Sequence, residues 1–377
     1  MKSLFYASTQ AVQIVREFLF VLLFLLVLIY SFCFAGEYGS VTSQKVADGV
    51  YLFTTTPYGD VGLSGNSVAV VTGEAVLVFD TNGIPETAER VLNEIRKLTD
   101  KPVRYVINSH WHWDHWSGNQ VYRSAFPDVQ IITHDKTLEL MKNVEPRWNA
   151  AGLKAQLPAY LADLRKKVET AKGNQAVSSQ AKEMEKLLMA DENFLAQKTM
   201  LRKIFPNVTF SDSMTVRPGG REIQILHARA ITTGDAYLYL PEQKILITGD
   251  IMLDPYPYAI GGTYPADWLK TLERFAALNP SFIIPGHGKL QQGTGLLQNY
   301  LSLFRSVLNR VKDLKARGLS LEQCVSTIDK EEFATKLNIT DPQKAKEFKA
   351  YFLDVFVSRA YRELDGPLSD LPDGLPE

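Results

Sequence analysis

Cysteine is nearly absent from this chain: 377 residues carry only Cys33 and Cys324. Two thiols cannot build a disulfide framework, and a cysteine-rich zinc site is excluded as well. Neither sign of charge is in excess, with 41 Lys and Arg against 42 Asp and Glu and a formal net charge of −1. That balance argues against nucleic acid or an anionic membrane surface as the main partner, because both select basic surfaces. No segment repeats at a fixed period, which sets aside solenoids and propellers. Histidine is scarce too, at six residues, so their placement is informative. What remains, 45% hydrophobic and 22% charged residues, is ordinary globular composition, and the chain is long enough to bury a sizeable core.

One long apolar run exists. Phe18 to Ala35 (FLFVLLFLLVLIYSFCFA) has no charged residue, and Lys2 and Arg16 precede it. Charge first and apolar core second is the layout of a secretory signal peptide, and Cys33 and Ala35 are small enough to precede a cleavage site. Residues 1–35 are therefore expected to be a signal peptide, with Gly36 as the first residue of the mature chain. The alternative is an uncleaved membrane anchor, since about 20 apolar residues span a bilayer. Either way the body of the protein is expected to be exported, periplasmic or secreted, and to touch a membrane only through this segment.

Beyond the leader the pattern alternates. GVYLFTT, NSVAVVT and AVLVFDT read as short strands divided by Gly, Asn and Asp turn signals. IPETAERVLNEIRKLT has helical spacing, and VRYVINS and VQIITH read as strands. Residues 136–204 turn helical and charged, an insertion expected to act as a lid or rim, or else as a dimerisation face or a solvated hairpin. NVTFSDSMTV, REIQILHA, DAYLYLP and KILITGD predict further strands, followed by a helix in PADWLKTLERFAAL and the strand SFIIPGHG. Residues 291–365 read as a C-terminal helical segment, and 366–377 as a loose tail. Two strand-rich halves with interspersed helices predict an α/β protein of two sheets covered by helices, with a main domain over 36–290.

The chemistry concentrates where a strand ends. Residues 109–119 read SHWHWDHWSGN, so three of the six histidines fall within six positions. Alternate residues of an extended segment point the same way, so His110 and His112 can share one metal ion. Asp114 and His115 then turn toward a second position, at a spacing of roughly 3.5–4 Å in two-metal sites. Imidazole with carboxylate suits Zn2+, with iron or manganese as the alternatives.

This segment resembles the His-x-His-x-Asp-His signature of the metallo-β-lactamase superfamily, and the resemblance runs from about Gly49 to His287. Thr248-Gly249-Asp250 closes the strand KILITGD, and Asp250 resembles the family's bridging carboxylate. Pro285-Gly286-His287-Gly288 closes SFIIPGHG, and His287 resembles its last ligand. The resemblance implies an αββα sandwich with a metal site at one edge, held by His110, His112, Asp114, His115, Asp250 and His287. One position departs. Where the family carries its third histidine, this chain reads Ala230-Ile231-Thr232-Thr233-Gly234-Asp235, and isoleucine cannot bind metal. One tight ion is therefore expected at Asp114, His115, Asp250 and His287, with a weak or empty position at His110 and His112.

The expected activity is metal-dependent hydrolysis of an ester, amide, lactam or thioester in a small-molecule substrate, with Asp114 as the catalytic group that orients the nucleophile or takes its proton. A non-haem iron oxidase using His110, His112 and Asp250 is the main alternative, and a non-catalytic metal-binding relative is another. A phosphodiesterase has little support without a basic cluster. Asp80 and Asp235 fit either turn caps, the leading reading, or carboxylates that orient a ligand histidine. His134 and His227 read as strand-end residues outside the metal set. Trp111, Trp113, Trp116, Tyr256, Tyr258 and Tyr264 fit either an aromatic rim for an apolar substrate or plain packing.

Overall fold

The computed structural model describes residues 38–59, 64–146, 153–172, 178–259 and 262–369. The leader and Cys33 lie outside the described residues. Among the described residues no helix is long and apolar enough to cross a membrane, and Cys324 is a buried free thiol.

Strands β1 (Val41–Ala47), β2 (Val50–Thr55), β3 (Ser67–Val71), β4 (Val76–Phe79), β5 (Val103–Ile107), β6 (Gln130–His134) and β7 (Val208–Phe210) form a seven-stranded sheet in chain order. It is antiparallel from β1 to β4 and parallel from β4 to β7. The second sheet holds β8 (Ser213–Val216), β9 (Ile223–Ala228), β10 (Asp235–Leu240), β11 (Ile245–Gly249), β12 (Phe282–Pro285) and β13 (Gln291–Gln292), in the order β13-β12-β11-β10-β9-β8. Only β11 and β12 pair in parallel there.

The layering follows from alternation along the strands. Val68, Val70, Leu77 and Phe79 face a core shared with Ile225, Leu238, Leu240, Ile245, Ile247 and Ile284 of the other sheet. Their neighbours Ala69, Val76 and Val78 point outward, onto Ala88, Val91, Leu92 and Ile95 of helix α1 (Pro85–Leu98). On the second sheet Tyr237, Tyr239, Leu246 and Ile283 likewise point outward, onto α7 (Pro265–Leu278) and α8 (Gly295–Ala316). Side chains alternate with period two, so a slip of one residue would exchange the two faces. Burying each such aliphatic side chain is worth about 1.5–3 kcal/mol, which fixes the register. The result is the αββα sandwich that the resemblance implied, with a helical insertion between β6 and β7 and helices at the C-terminal end.

Two sequence expectations need correction. NVTFSDSMTV is not one strand: β7 and β8 lie in different sheets, and the chain crosses between them at Ser211 and Asp212. Its turn-forming Ser-Asp pair marks that crossing. Strand β1 was not foreseen, because as a mostly exposed edge strand it lacks apolar alternation. The insertion itself follows α3 (Asn119–Ala125) and β6 and consists of α4 (Asp135–Asn143) and two long helices, α5 (Leu153–Lys172) and α6 (Ser178–Thr199), that pack on each other.

Candidate metal centre

Every candidate donor follows a strand end on one edge of the sandwich, where loops from both sheets meet. After β5 the chain bends over residues 110–112, His112 itself keeping extended dihedrals, then closes a single helical turn, α2 (Trp113–Trp116), carrying Asp114 and His115. This change from extended to helical backbone aims the first pair of ligand types and the second in different directions. Asp250 follows β11 and His287 follows β12, the parallel pair, so both strands deliver their ends to the same edge. Glycine is required on both sides of this junction. Gly249 has φ +53°, and a Cβ there would stand 2.7 Å from Ser109 Cβ; a Cβ on Gly286 would stand 2.1 Å from Asp250 Oδ1. Asn66 pins the His287 loop, its Nδ2 donating to Pro285 O at 3.0 Å and Gly288 O at 2.9 Å.

The structure brings all six sequence-identified residues together in two groups, His110 with His112 and Asp250, and Asp114 with His115 and His287. In the second group His115 Nε2 lies 3.3 Å from His287 Nε2 and 3.3 Å from Asp114 Oδ2. Asp114 Oδ2 lies 3.1 Å from His287 Nε2. Asp250 Oδ1 joins them at 3.2 Å from His115 Nε2 and 3.6 Å from His287 Nε2. Donors held tetrahedrally at roughly 2.0–2.1 Å from a zinc ion stand about 3.3–3.4 Å apart. These five separations, 3.1–3.6 Å, are close to those of a tetrahedral cation cage. Asp250 Oδ1 is also buried and accepts no hydrogen bond, which leaves a lone-pair donor directed into that cage. The other group is less regular: His110 Nε2 lies 2.8 Å from His112 Nδ1 and 3.7 Å from Asp250 Oδ2.

Electrostatics agree with the geometry. Burial would lower the pKa of His115, but Asp250, Asp114 and Asp80 outweigh it and hold the imidazole well above its ordinary range. His287 is raised for the same reason, by Asp250 and Asp114 against burial. Burial would raise the carboxyls of Asp114 and Asp250, yet both sit below the usual range, chiefly through His115, with His287 adding to it. The carboxylates of Asp114 and Asp250 thus favour positive charge on the imidazoles they face, a place that a proton or a cation can fill. His110 and His112 differ: burial holds both neutral, His112 at about 4. Neutral imidazole is the metal-ligating form.

Asp80 corrects the leading sequence reading, which made it a turn cap. It accepts from His115 Nδ1 at 2.8 Å, from Ser109 N at 2.7 Å and from Ser109 Oγ at 2.8 Å. Ser109 Oγ stands in turn 2.9 Å from His110 Nδ1. One buried carboxylate thus holds Nδ1–H on His115 directly and on His110 through a serine, turning both Nε2 lone pairs to the site. Asp80 has φ +59°, a conformation that Asp tolerates better than most residues. Sequence reasoning missed Ser109 and Asn66, for which no periodicity gives a signal.

Asp235 is a turn cap. Its carboxylate accepts from Ala230 N and from Thr232 N and Oγ, and so closes the turn that carries Ile231. Ile231 is 3% exposed and packs in the apolar cluster beneath the C-terminal helices. His134 and His227 lie outside the metal groups, stacked on each other at 3.9 Å between ring centroids. Trp111 and Trp116 are packing residues, buried against Leu140, Met141 and Val144. Tyr256 and Tyr264 are buried as well, in or against the C-terminal helical core. Trp113 alone of the three tryptophans is half-buried, against the inserted hairpin.

A two-sheet sandwich with an edge cluster of histidines and aspartates able to hold metal defines a class of metalloprotein. The model of the metallo-β-lactamase superfamily matches residues 60–287, and the chain belongs to that superfamily. A linear primary-alkylsulfatase from a Pseudomonas strain is 24% identical over 270 residues, 68% of this chain and 48% of the relative. The chain thus spans about half the length of the curated relative it matches. Among solved structures, a metallo-β-lactamase from Pontibacter korlensis aligns with TM-score 0.49 and 19% identity, covering 71% of this chain and 99% of its own. A mono-zinc metallo-β-lactamase from Pseudomonas aeruginosa aligns with TM-score 0.48 and 14% identity, covering 72% of this chain and 97% of its own.

Proposed function

We propose that this protein is a metal-dependent hydrolase of a small-molecule substrate, in which Asp114, His115, Asp250 and His287 hold the principal zinc ion. The observation that carries this reading is the cage of four donor atoms spaced for a tetrahedral cation. His110, His112 and Asp250 form a second, poorer position, because Ile231 supplies no donor where the superfamily pattern has a histidine. When bound, a divalent ion supplies Lewis acidity and lowers the pKa of a water to roughly 7.

The protein residues supply the rest. Asp80 and Ser109 fix the tautomers of His115 and His110 so that their lone pairs face the site. Asp114 turns Oδ2 toward both imidazoles, which leaves Oδ1 to orient the attacking group or take its proton. His287 is a quarter exposed while His110 and His115 are essentially buried, so substrate enters from the His287 side. The bond cleaved is of the ester, amide, lactam or thioester type, or a sulfate ester. The alkylsulfatase relative makes an alkyl sulfate the first substrate to try.

The test is turnover by zinc-loaded protein of dodecyl sulfate, p-nitrophenyl acetate, an acyl thioester and a cephalosporin. At least one is expected to be hydrolysed, with activity removed by chelator and restored by zinc. Fully loaded, folded protein that hydrolyses none of them contradicts the proposal.

A further inference from the structure

The inserted hairpin carries a cation to the loop that bears the metal ligands. Trp113 lies between His112 and Asp114 in the chain, and α6 covers it. Phe194 packs 5.5 Å from its ring, centroid to centroid, and Lys198 Nζ lies 4.2 Å from the same ring. The ammonium also donates to Ser117 Oγ at 3.3 Å. Neither contact neutralises its charge. Two carboxylates raise its pKa from nearby, Glu145 and Asp114, but both are committed elsewhere. Glu145 is paired with Lys203, and Asp114 faces His115 and His287. No ion pair to Lys198 forms among the described residues. Burial pushes the amine down to about 8, so it remains mostly charged at neutral pH.

The hairpin that carries this cation is clamped to α1. Glu86 of α1 receives Tyr58 Oη, Arg90, and Asn193 and Gln197 of α6, and Leu157, Leu161 and Phe194 pack beneath. A half-buried ammonium without a counter-ion is costly unless something completes it. A bound metal would also neutralise Asp114, one of the two charges that now offset the lysine.

We propose that Lys198 is the anion-recognition residue of the active site, receiving an oxyanion group of the substrate beside the metal centre. The ligand chemistry is a singly or doubly charged oxyanion such as a sulfate ester, a carboxylate or a phosphate monoester. A charge-assisted hydrogen bond from a lysine ammonium suits any of these. The proposal rests on the hydrolase reading and adds a substrate class to it.

Inorganic sulfate is the probe, titrated calorimetrically into zinc-loaded wild type, Lys198→Gln and Lys198→Arg, each checked for metal content and fold. Lys198→Gln is expected to weaken sulfate binding about tenfold or more, and Lys198→Arg to recover most of it. With substrates, the ratio of kcat/KM for p-nitrophenyl sulfate to that for p-nitrophenyl acetate should fall by a similar factor in Lys198→Gln, through KM. A wild type that binds no sulfate, or binds it as well without Lys198, overturns the proposal even if the enzyme hydrolyses neutral esters. Lys198-dependent sulfate binding without turnover of any substrate supports the subsite and counts against the hydrolase reading instead.

Discussion

Replacing Asp80 with asparagine changes few atoms and tests how the site is held. The carboxylate accepts three hydrogen bonds, from Ser109 N, Ser109 Oγ and His115 Nδ1. An amide keeps one acceptor oxygen. If that oxygen faces Ser109 N, the new NH2 group meets His115 Nδ1–H, donor against donor. His115 relieves the clash by moving its proton to Nε2, the atom that faces Asp114, Asp250 and His287. A proton there competes with metal. If the amide turns over, its NH2 meets Ser109 N–H instead, and a buried donor goes unsatisfied at about 1–3 kcal/mol. The expected loss of zinc affinity is about 10- to 100-fold, or about 1.4–2.7 kcal/mol, measured by competition with a chelator of known affinity. The metal-free variant should also unfold earlier in denaturant by about 1–3 kcal/mol. A folded Asp80→Asn protein with wild-type zinc affinity would refute the argument that Asp80 orients His115.

Three further outcomes are expected. Burial alone would raise the Glu86 carboxyl, but Tyr58, Arg90 and Asn193 bring it below the ordinary 4.5. A depressed carboxylate contributes stability that is present above its ordinary pKa and lost as pH falls through the folded value. Glu86→Gln should therefore cost about 1–2 kcal/mol at neutral pH and flatten the acid limb of a stability-against-pH curve; an unchanged limb would show that the clamp contributes nothing. Ile231→His should add about one zinc per chain at a cost of about 1–3 kcal/mol for a polar ring in a buried place, and an unchanged metal ratio in folded protein would remove this turn from the first position. N-terminal sequencing of exported protein should begin at or near Gly36, whereas an intact Met1 on membrane-embedded protein would establish the anchor.

Much of the fold was legible because Val76–Phe79 and Ile245–Gly249, buried on both faces, are short apolar runs rich in β-branched residues and bounded by turn residues, which reads as strand. The metal edge was legible because His110, His112, Asp114 and His115 crowd into one strand end. What escaped has physical causes. The β7–β8 crossing hides in ten residues that read as one strand until the Ser-Asp turn is weighed. Asp80 stands 35 positions from His115, and no spacing rule connects a strand-end aspartate to a histidine on another loop. Trp111 and Trp116 resembled a substrate rim because indole is chemically suited to both roles, and only burial separates them. The Glu86 clamp joins the first helix to an insertion more than a hundred residues later, a contact set by packing of the hairpin.

The most direct test of the central claim is metal analysis of the full chain, purified without chelator and desalted, beside His287→Ala. The account predicts about one tightly held zinc per wild-type chain and little or none in the variant, with both proteins folded. Wild type without metal, wild type holding iron, or a His287→Ala protein that keeps the full complement would contradict it.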